Sequence, residues 1–476
     1  MARKKSRERE FIENIEIIDI AAEGKAIAKV DNLVIFIPFV VPGDIVDVEI
    51  IKKKKNYAEA RAIKFHKYSP NRIETKCPHF GICGGCKWQM LDYKYQLEAK
   101  GQQVLDNLSR IGHIDISGAQ PIIGSDKIYY YRNKLEFTFS TKRWFTEEEI
   151  KTLEENSPRQ GFGFHIQGFF DKVIDIKYCA LQREPSNQIR NFLREYSLEK
   201  KLSYYDIRNH SGLLRNVIIR STDKDELMVI VVFAEMSDEI FPLLETLGIK
   251  FPEITSLMYC INSKFNDTLY DQDILVYKGK DHITEYMPAF QEGGKELRFK
   301  IGAKSFYQTN SLQAYKLYSK AAEYANLNKD MVVYDLYTGI GSIASFVSPY
   351  VNKVVGIEYV DMAIEDAKAN AIENGLTNTE FYAGDIAKIL DKEFVEKHGK
   401  PDLIITDPPR AGMGEKVVNM LLEIGAKNIV YISCNPATQA RDLSQLSSLY
   451  DIKRIQPVDM FPHTHHIENI VELVLR

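Results

Sequence analysis

Apolar and polar positions along the chain fall into three regimes. Residues 11–67 form short β-rich runs, "NIEIIDI", "KAIAKV", "LVIFIPFVV" and "DIVDVEII", broken by Glu23-Gly24, Asp31-Asn32 and Pro42-Gly43-Asp44. Roughly five strands with tight turns predict a small barrel of the OB type. A loop rich in Cys, Gly and Pro follows, then a helix over Tyr93–Arg110 with Leu97, Val104, Leu105 and Leu108 at helical spacing. From residue 128 to 300 the pattern is again strand-like, clearest in "YRNKLEFTFS", "RNVIIRS", "ELMVIVVFAE" and "SLMYCINSK". From residue 304 onward, β-branched runs alternate with helical intervals, among them "VDMAIEDAKANAIENG", which stops at Gly375. Alternation of this kind predicts a doubly wound parallel sheet. The expected organisation is α/β and multi-domain: an OB-type barrel over residues 11–67, a β-rich central domain over 68–303 and a Rossmann-like domain over 304–476.

Ligands of doubly wound sheets bind outside the carboxyl ends of the strands, and the unusual residues of the last regime stand there. "YDLYTGIGSIA" places Asp335 near a strand end, then Gly339 and Gly341 before a helix. Glycines there let the backbone turn and approach a ligand. Glu358 ends the next strand, where a carboxylate holds ribose hydroxyls, and Asp385 ends the third. The pattern suits NAD or S-adenosylmethionine. The fourth strand ends in Asp407-Pro408-Pro409-Arg410, whose prolines fix a rigid turn. Arg410 stands where amine methyltransferases carry an aromatic residue, which disfavours amine methylation. The fifth strand, "NIVYIS", ends at Cys434. Hydride transfer explains neither Cys434 nor the two prolines.

A cysteine at that edge suits one further chemistry. Carbon 5 of uracil becomes nucleophilic once a thiolate adds to carbon 6, and a base must afterwards remove the carbon 5 proton so that the thiolate can leave. Glu468, after the turn "FPHTHHIE", is the candidate base. His463, His465 and His466 are expected to be turn and substrate-edge residues rather than a metal cluster.

Composition refines this picture. The 476 residues are 45% apolar and 27% charged, which is too long for one core and fits two or three domains. No apolar run approaches a membrane span, and the opening "MARKKSRERE" has no apolar segment of a secretory leader, so a cytoplasmic location is the default. Net charge is −4, with +4 over residues 1–76 (16 basic, 12 acidic) and −8 over the rest. Lys52–Lys55 suits either phosphate tracking or a solvated strand end. Of six cysteines, Cys77, Cys83 and Cys86 are crowded in "CPHFGICGGC", and Cys179 follows in "YCALQ". Thiolates at this spacing fit Zn²⁺ or a [4Fe–4S] cluster equally. Cys260 reads as core.

Together "FYQTN", "DLYTGIGS", "GIEYV", "DPPRAG", "SCNPAT" and "FPHTHHIE", in this order, closely resemble the RNA uracil-C5 methyltransferase family. The resemblance covers nearly the whole chain and thins between residues 185 and 290. It implies that Cys434 is the nucleophile and Glu468 the base. It implies that Gln308, Tyr337 and Glu358 contact S-adenosylmethionine, with Asp385 a further cofactor residue. Asp407 would lie between cofactor and uracil, and Phe306, with Tyr307 beside it, would stack on the extruded base. Thr338 stands where the family commonly has Cys. Ribosomal-RNA members often carry a TRAM barrel and a four-cysteine [4Fe–4S] cluster, so the resemblance favours iron–sulfur at Cys77, Cys83, Cys86 and Cys179. The expected activity is 5-methyluridine formation in 23S ribosomal RNA by a monomer with no membrane association, with Tyr131–Lys134 and Lys52–Lys55 as RNA contacts. Two rivals stand: the same chemistry on transfer RNA, and a non-catalytic RNA-binding assembly factor with a structural metal.

Overall fold

A computed structural model describes residues 10–476 of the chain. Most of the charged opening run therefore lies outside the described residues. Phe11–Lys67 forms a six-stranded sheet whose order is Phe11–Glu16, Ile45–Lys53, Tyr57–Lys67, Leu33–Pro38, Lys25–Val30 and Asp19–Ile20. The sixth strand, absent from the sequence pattern, is the two-residue Asp19–Ile20, too short to show alternation. The Pro42-Gly43-Asp44 turn is held by the buried Asp44 carboxylate, which accepts from the Val41 and Ser69 amides (2.8 and 2.9 Å) and pairs with Arg72 (2.8 Å). Lys52–Lys55 is exposed, with Lys53 paired to Glu10.

The central region is an eight-stranded sheet. Its strand Leu227–Phe233 is apolar throughout because both faces are covered. Leu227, Val229, Val231 and Phe233 pack under the helices Ser186–Glu199 and Ile240–Lys250, whereas Met228, Ile230 and Val232 join the core shared with the C-terminal sheet. Cys260 is fully buried in that shared core.

Seven strands make the C-terminal sheet: in chain order Val332–Leu336, Lys353–Glu358, Thr379–Ala383, Leu403–Thr406, Asn428–Ser433, Tyr450–Val458 and Glu468–Leu475. They lie across it as 3-2-1-4-5-7-6. The first five are parallel, as expected from their alternation with helices. The seventh runs antiparallel between the fifth and the sixth. That reversal positions the site, because the start of an antiparallel strand lies at the carboxyl edge of its parallel neighbours.

The helix Tyr93–Arg110 has the expected bounds, capped by Asp92, which accepts from the Lys94 amide at 3.0 Å. It packs on the outer face of the C-terminal sheet, with Val104 and Leu108 in the core beneath Pro436–Leu446. The chain then runs beside the sixth strand through the bridges Ala119–Ile455 and Ile123–Val458. Among the described residues no helix is long and apolar enough to cross a membrane.

Candidate active site

The carboxyl edge of the sheet gathers residues from four strand ends. Ser433 pairs with Asn469, so the register carried one step further sets Cys434 opposite Glu468. Thr406 pairs with Tyr431 and with Leu336, which brings Asp407 to the same edge. Local chemistry fixes Cys434. Asn435 caps the following helix by accepting from the Ala437 amide (3.2 Å), Pro436 opens that helix, and Asn435 Nδ2 donates to the Arg410 carbonyl (3.0 Å). The thiol turn is therefore bonded to the proline turn, and Thr438 Oγ1 adds a second bond to the same carbonyl (3.2 Å).

Three carboxyl groups face this edge, and among the described residues none has a cationic partner within ion-pair distance. Burial pushes Asp335 up to about 7, with Glu358 adding to it. Burial and the neighbouring Asp335 likewise push Asp407 up to about 7. Glu468 is buried and lies well above the carboxylate range, from burial first and Asp407 second. The Cys434 thiol is pushed up to about 11 by burial, then by Glu468 and Asp407, while Arg410 opposes the shift. Burial and the neighbouring carboxyl groups thus favour the neutral thiol, while the helix N-terminus behind Cys434 favours the thiolate.

The glycine turn is built from within. The buried Asp335 carboxylate accepts from the Thr338 hydroxyl and, at 3.0 Å, from the Ala344 amide. Thr338 at this position thus ties the turn to the first strand. Tyr337, Gly339 and Gly341 all take positive φ (64°, 56° and 75°). A Cβ on Gly341 would meet Ala367 at 3.0 Å, whereas one on Gly339 would meet nothing within 4 Å. Gly339 therefore faces open space, as a ligand-cradling turn requires. Glu358 stands beside it, accepting from the Gly339 and Val360 amides (3.2 and 3.0 Å). Asp385 spends one oxygen on capping the helix Ile386–Ile389, through the Ala387 amide at 3.0 Å. In "FYQTN", Phe306 is 66% exposed, whereas Tyr307 and Gln308 are buried, and the Tyr307 hydroxyl has no hydrogen-bond partner among the described residues. Tyr307 is thus a core residue, and only Phe306 is free to stack on a base.

The turn that delivers Glu468 is held by four separate segments. Its successive carbonyls accept in order: Met460 from Asn310 Nδ2 (3.0 Å), Phe461 from Lys100 Nζ (3.0 Å), Pro462 from Tyr131 Oη (3.0 Å), and His463 from the Lys87 and Trp88 amides (2.8 and 3.1 Å). Lys100 also forms a fully buried pair with Asp459 (2.6 Å), whose other oxygen accepts from Tyr93 (2.8 Å). His463 takes a left-handed backbone (φ 67°), stacks on Tyr129 at 4.4 Å and meets Gln96 through Nδ1 (3.2 Å). Burial and Lys100 lower it to about 4, so it is neutral. Lys100 was not evident from apolar periodicity alone. Its signal is the polar pair Gln96 and Lys100 on the four-residue series that continues as buried Val104 and Leu108.

The same turn walls a second feature. Cys77, Cys83, Cys86 and Cys179 line one cavity of about 480 Å³, together with Thr464 and His466. Burial pushes all four thiols up, Cys83 and Cys179 to about 12. Gln89 Nε2 donates to Cys86 Sγ (3.2 Å) and the Gly85 amide to Cys83 Sγ (3.4 Å). Arg132 is the one Lys or Arg among the lining residues, and Asp and Glu are absent from them. The structure does not bear out the expected metal site, whether [4Fe–4S] or Zn²⁺: among the described residues no group of three His, Cys, Asp or Glu is disposed to hold a metal ion.

Known proteins share this architecture. A family profile described as "tRNA (Uracil-5-)-methyltransferase" matches residues 271–476, and a TRAM domain profile matches residues 12–63. An uncharacterised RNA methyltransferase of Bacteroides thetaiotaomicron is 56% identical over 96% of this chain and 100% of its own length. That of Porphyromonas gingivalis is 52% identical over 97% and 99%. The crystal structure of the Pyrococcus abyssi tRNA (uracil-54, C5)-methyltransferase, in complex with S-adenosyl-L-homocysteine, superposes with a TM-score of 0.74 at 28% identity. It covers 97% of this chain and 100% of that one.

Proposed function

The chain belongs to the RNA uracil-C5 methyltransferase family, and from that premise we propose that Cys434 and Glu468 perform the reaction through a covalent adduct with the uracil ring. The observation that carries this reading is the register that sets Cys434 opposite Glu468 at one edge. Gln308, Tyr337, Glu358, Asp385 and Asp407 are the residues to hold S-adenosylmethionine, and the open space at Gly339 fits a ligand there. When bound, that cofactor supplies the methyl group.

The protein's own groups account for the rest. The cycle runs from the ionised carboxylates. Sγ of Cys434 adds to carbon 6 as its proton passes to Asp407, and carbon 5 becomes the nucleophile. After methyl transfer the Glu468 carboxylate takes the carbon 5 proton. The electron pair left behind restores the ring double bond as the S–C6 bond breaks. The first proton returns to sulfur when the thiolate leaves, and the second passes to solvent. A neutral thiol and a protonatable carboxyl cluster suit this cycle, because no free thiolate stands exposed between turnovers. Phe306 is the residue proposed to stack on the extruded base, and its exposure supports this.

The RNA is proposed to be 23S ribosomal RNA, supported by the TRAM barrel together with the four-cysteine cavity. The likeness to the Pyrococcus abyssi enzyme favours transfer RNA as the second reading. Cys77, Cys83, Cys86 and Cys179 are proposed to hold a [4Fe–4S] cluster. Their convergence on one cavity supports this, and binding must displace the protons that burial retains. Anaerobically purified protein should be brown with about four irons per chain, and a colourless protein with one zinc would refute the assignment.

The activity is tested by supplying labelled S-adenosylmethionine and RNA, then identifying the modified nucleoside by mass spectrometry. The expected product is 5-methyluridine, lost in Cys434→Ala. Methyl on a ring nitrogen or the ribose would overturn the reading. Mapping 5-methyluridine in 23S and transfer RNA of a deletion strain decides the substrate.

A further inference from the structure

Tyr131-Arg132-Asn133-Lys134 has the look of an RNA-binding motif, yet its first residue is buried and its third is half-buried. Tyr131 is 6% exposed and donates to the Pro462 carbonyl at 3.0 Å. Two residues on, Asn133 turns the other way. Its Nδ2 donates to the Gln308 carbonyl and to Ser311 Oγ, both at 2.9 Å, and its amide donates to the Thr309 carbonyl at 2.8 Å. The Asn133 carbonyl in turn accepts from the Ser221 amide (2.8 Å), which anchors the segment to the central sheet.

One short segment therefore grips two loops of the site. The turn Met460–His463 leads to Glu468, and the Gln308–Asn310 loop carries the cofactor-side glutamine. The loops also touch each other through Asn310 and Met460. We infer that Tyr131 and Asn133 are positioning residues for the methylation reaction, Tyr131 fixing the turn that aims the base and Asn133 fixing the backbone that aims Gln308. This rests on the roles proposed above for Glu468 and Gln308. The physical ground is that each side chain saturates a carbonyl of a loop that lacks regular secondary structure at that point. Losing such a bond leaves the loop connected but free to shift, and a small shift at a reacting group is costly.

The two halves predict different kinetic defects. Tyr131→Phe keeps the ring and removes one donor. It should lower kcat about tenfold, the size of one lost hydrogen bond, with KM for S-adenosylmethionine little changed. Ordinary uridine RNA should then accumulate as a covalent adduct on Cys434, because methyl transfer proceeds while proton removal lags. Asn133→Ala should instead weaken S-adenosylhomocysteine binding in calorimetry by about tenfold without trapping RNA. Ser311→Ala, which removes only one of the two Asn133 acceptors, should do so more weakly and serves if Asn133→Ala fails to fold.

Glu468→Gln run in parallel separates the readings. If Glu468→Gln traps the adduct and Tyr131→Phe does not, the positioning role of Tyr131 is overturned. If Glu468→Gln traps nothing, the base assignment falls and takes the Tyr131 half with it. A merely structural role would lower melting temperature and scale activity with folded fraction, leaving KM, kcat per folded molecule and adduct level at wild-type values. That pattern contradicts the proposal for both residues.

Discussion

Two sets of cysteines lie on either side of one turn, and burial raises the thiols of both. Cys434 stands at the carboxyl edge of a parallel sheet, facing Glu468, Asp407 and Arg410. Cys77, Cys83, Cys86 and Cys179 face one another around a cavity whose lining has no carboxylate. The acidity of a thiol therefore does not separate the two proposed roles, nucleophile and cluster ligand. What faces it does: carboxyl groups stand beside Cys434, whereas the lining of the cavity has none. His466 belongs to both settings, lining the cavity and reaching Arg410 at 3.5 Å.

The contrast is broken most severely at Cys434 itself. Cys434→Ala should cut methylation by at least about 10⁴-fold while RNA binding persists, as loss of a covalent nucleophile does. Filter binding alongside a methyl-transfer assay checks both halves. Next in size, Glu468→Gln should slow turnover by about 10²–10⁴-fold, and gel shifts under denaturing conditions should show RNA retained on the protein. Smaller is Cys86→Ser in the cavity. It should abolish bound iron and visible absorbance and lower melting temperature. Methylation should fall only about tenfold or less, since the cavity reaches Glu468 through the turn and not through the reacting atoms.

The smallest effect is in stability against pH. Asp335 and Asp407 sit near 7 when folded, against about 3.9 for a free aspartate. Between those values the folded chain binds more protons than the unfolded one, so stability falls as pH rises from about 4 to about 7. Asp407→Asn should flatten that slope in a melting-temperature series and raise the melting temperature at alkaline pH by a few degrees, on the order of 1 kcal/mol. It should also impair methylation.

Periodicity made the helix Tyr93–Arg110 and all five parallel strands legible, because each carries its own local pattern. Chemistry at strand ends pointed to Cys434, Asp407 and Glu358 for the same reason: a strand and a turn adjoin in sequence. The antiparallel entry of Glu468–Leu475 left no such mark, since an apolar strand reads alike in either direction. Tertiary bonds were invisible altogether. Lys100 meets Asp459 across 359 residues, and Tyr131 meets Pro462 across 331. Lys100 looks like a surface lysine and Tyr131-Arg132-Asn133-Lys134 like a basic patch until the loops they hold are in view. Asp385, the strand-end acid expected at the cofactor, also caps a helix with one oxygen, a local bond that the strand-end pattern did not announce.

The most direct test of the difference between the two cysteine sets uses RNA containing 5-fluorouridine. Fluorine at carbon 5 cannot be removed as a proton, so the adduct formed in the presence of S-adenosylmethionine persists. Protein incubated in this way, digested and sequenced by mass spectrometry, should carry the methylated nucleotide on Cys434, with Cys77, Cys83, Cys86 and Cys179 free of it. No adduct, or an adduct on one of the four cavity cysteines, would contradict the account.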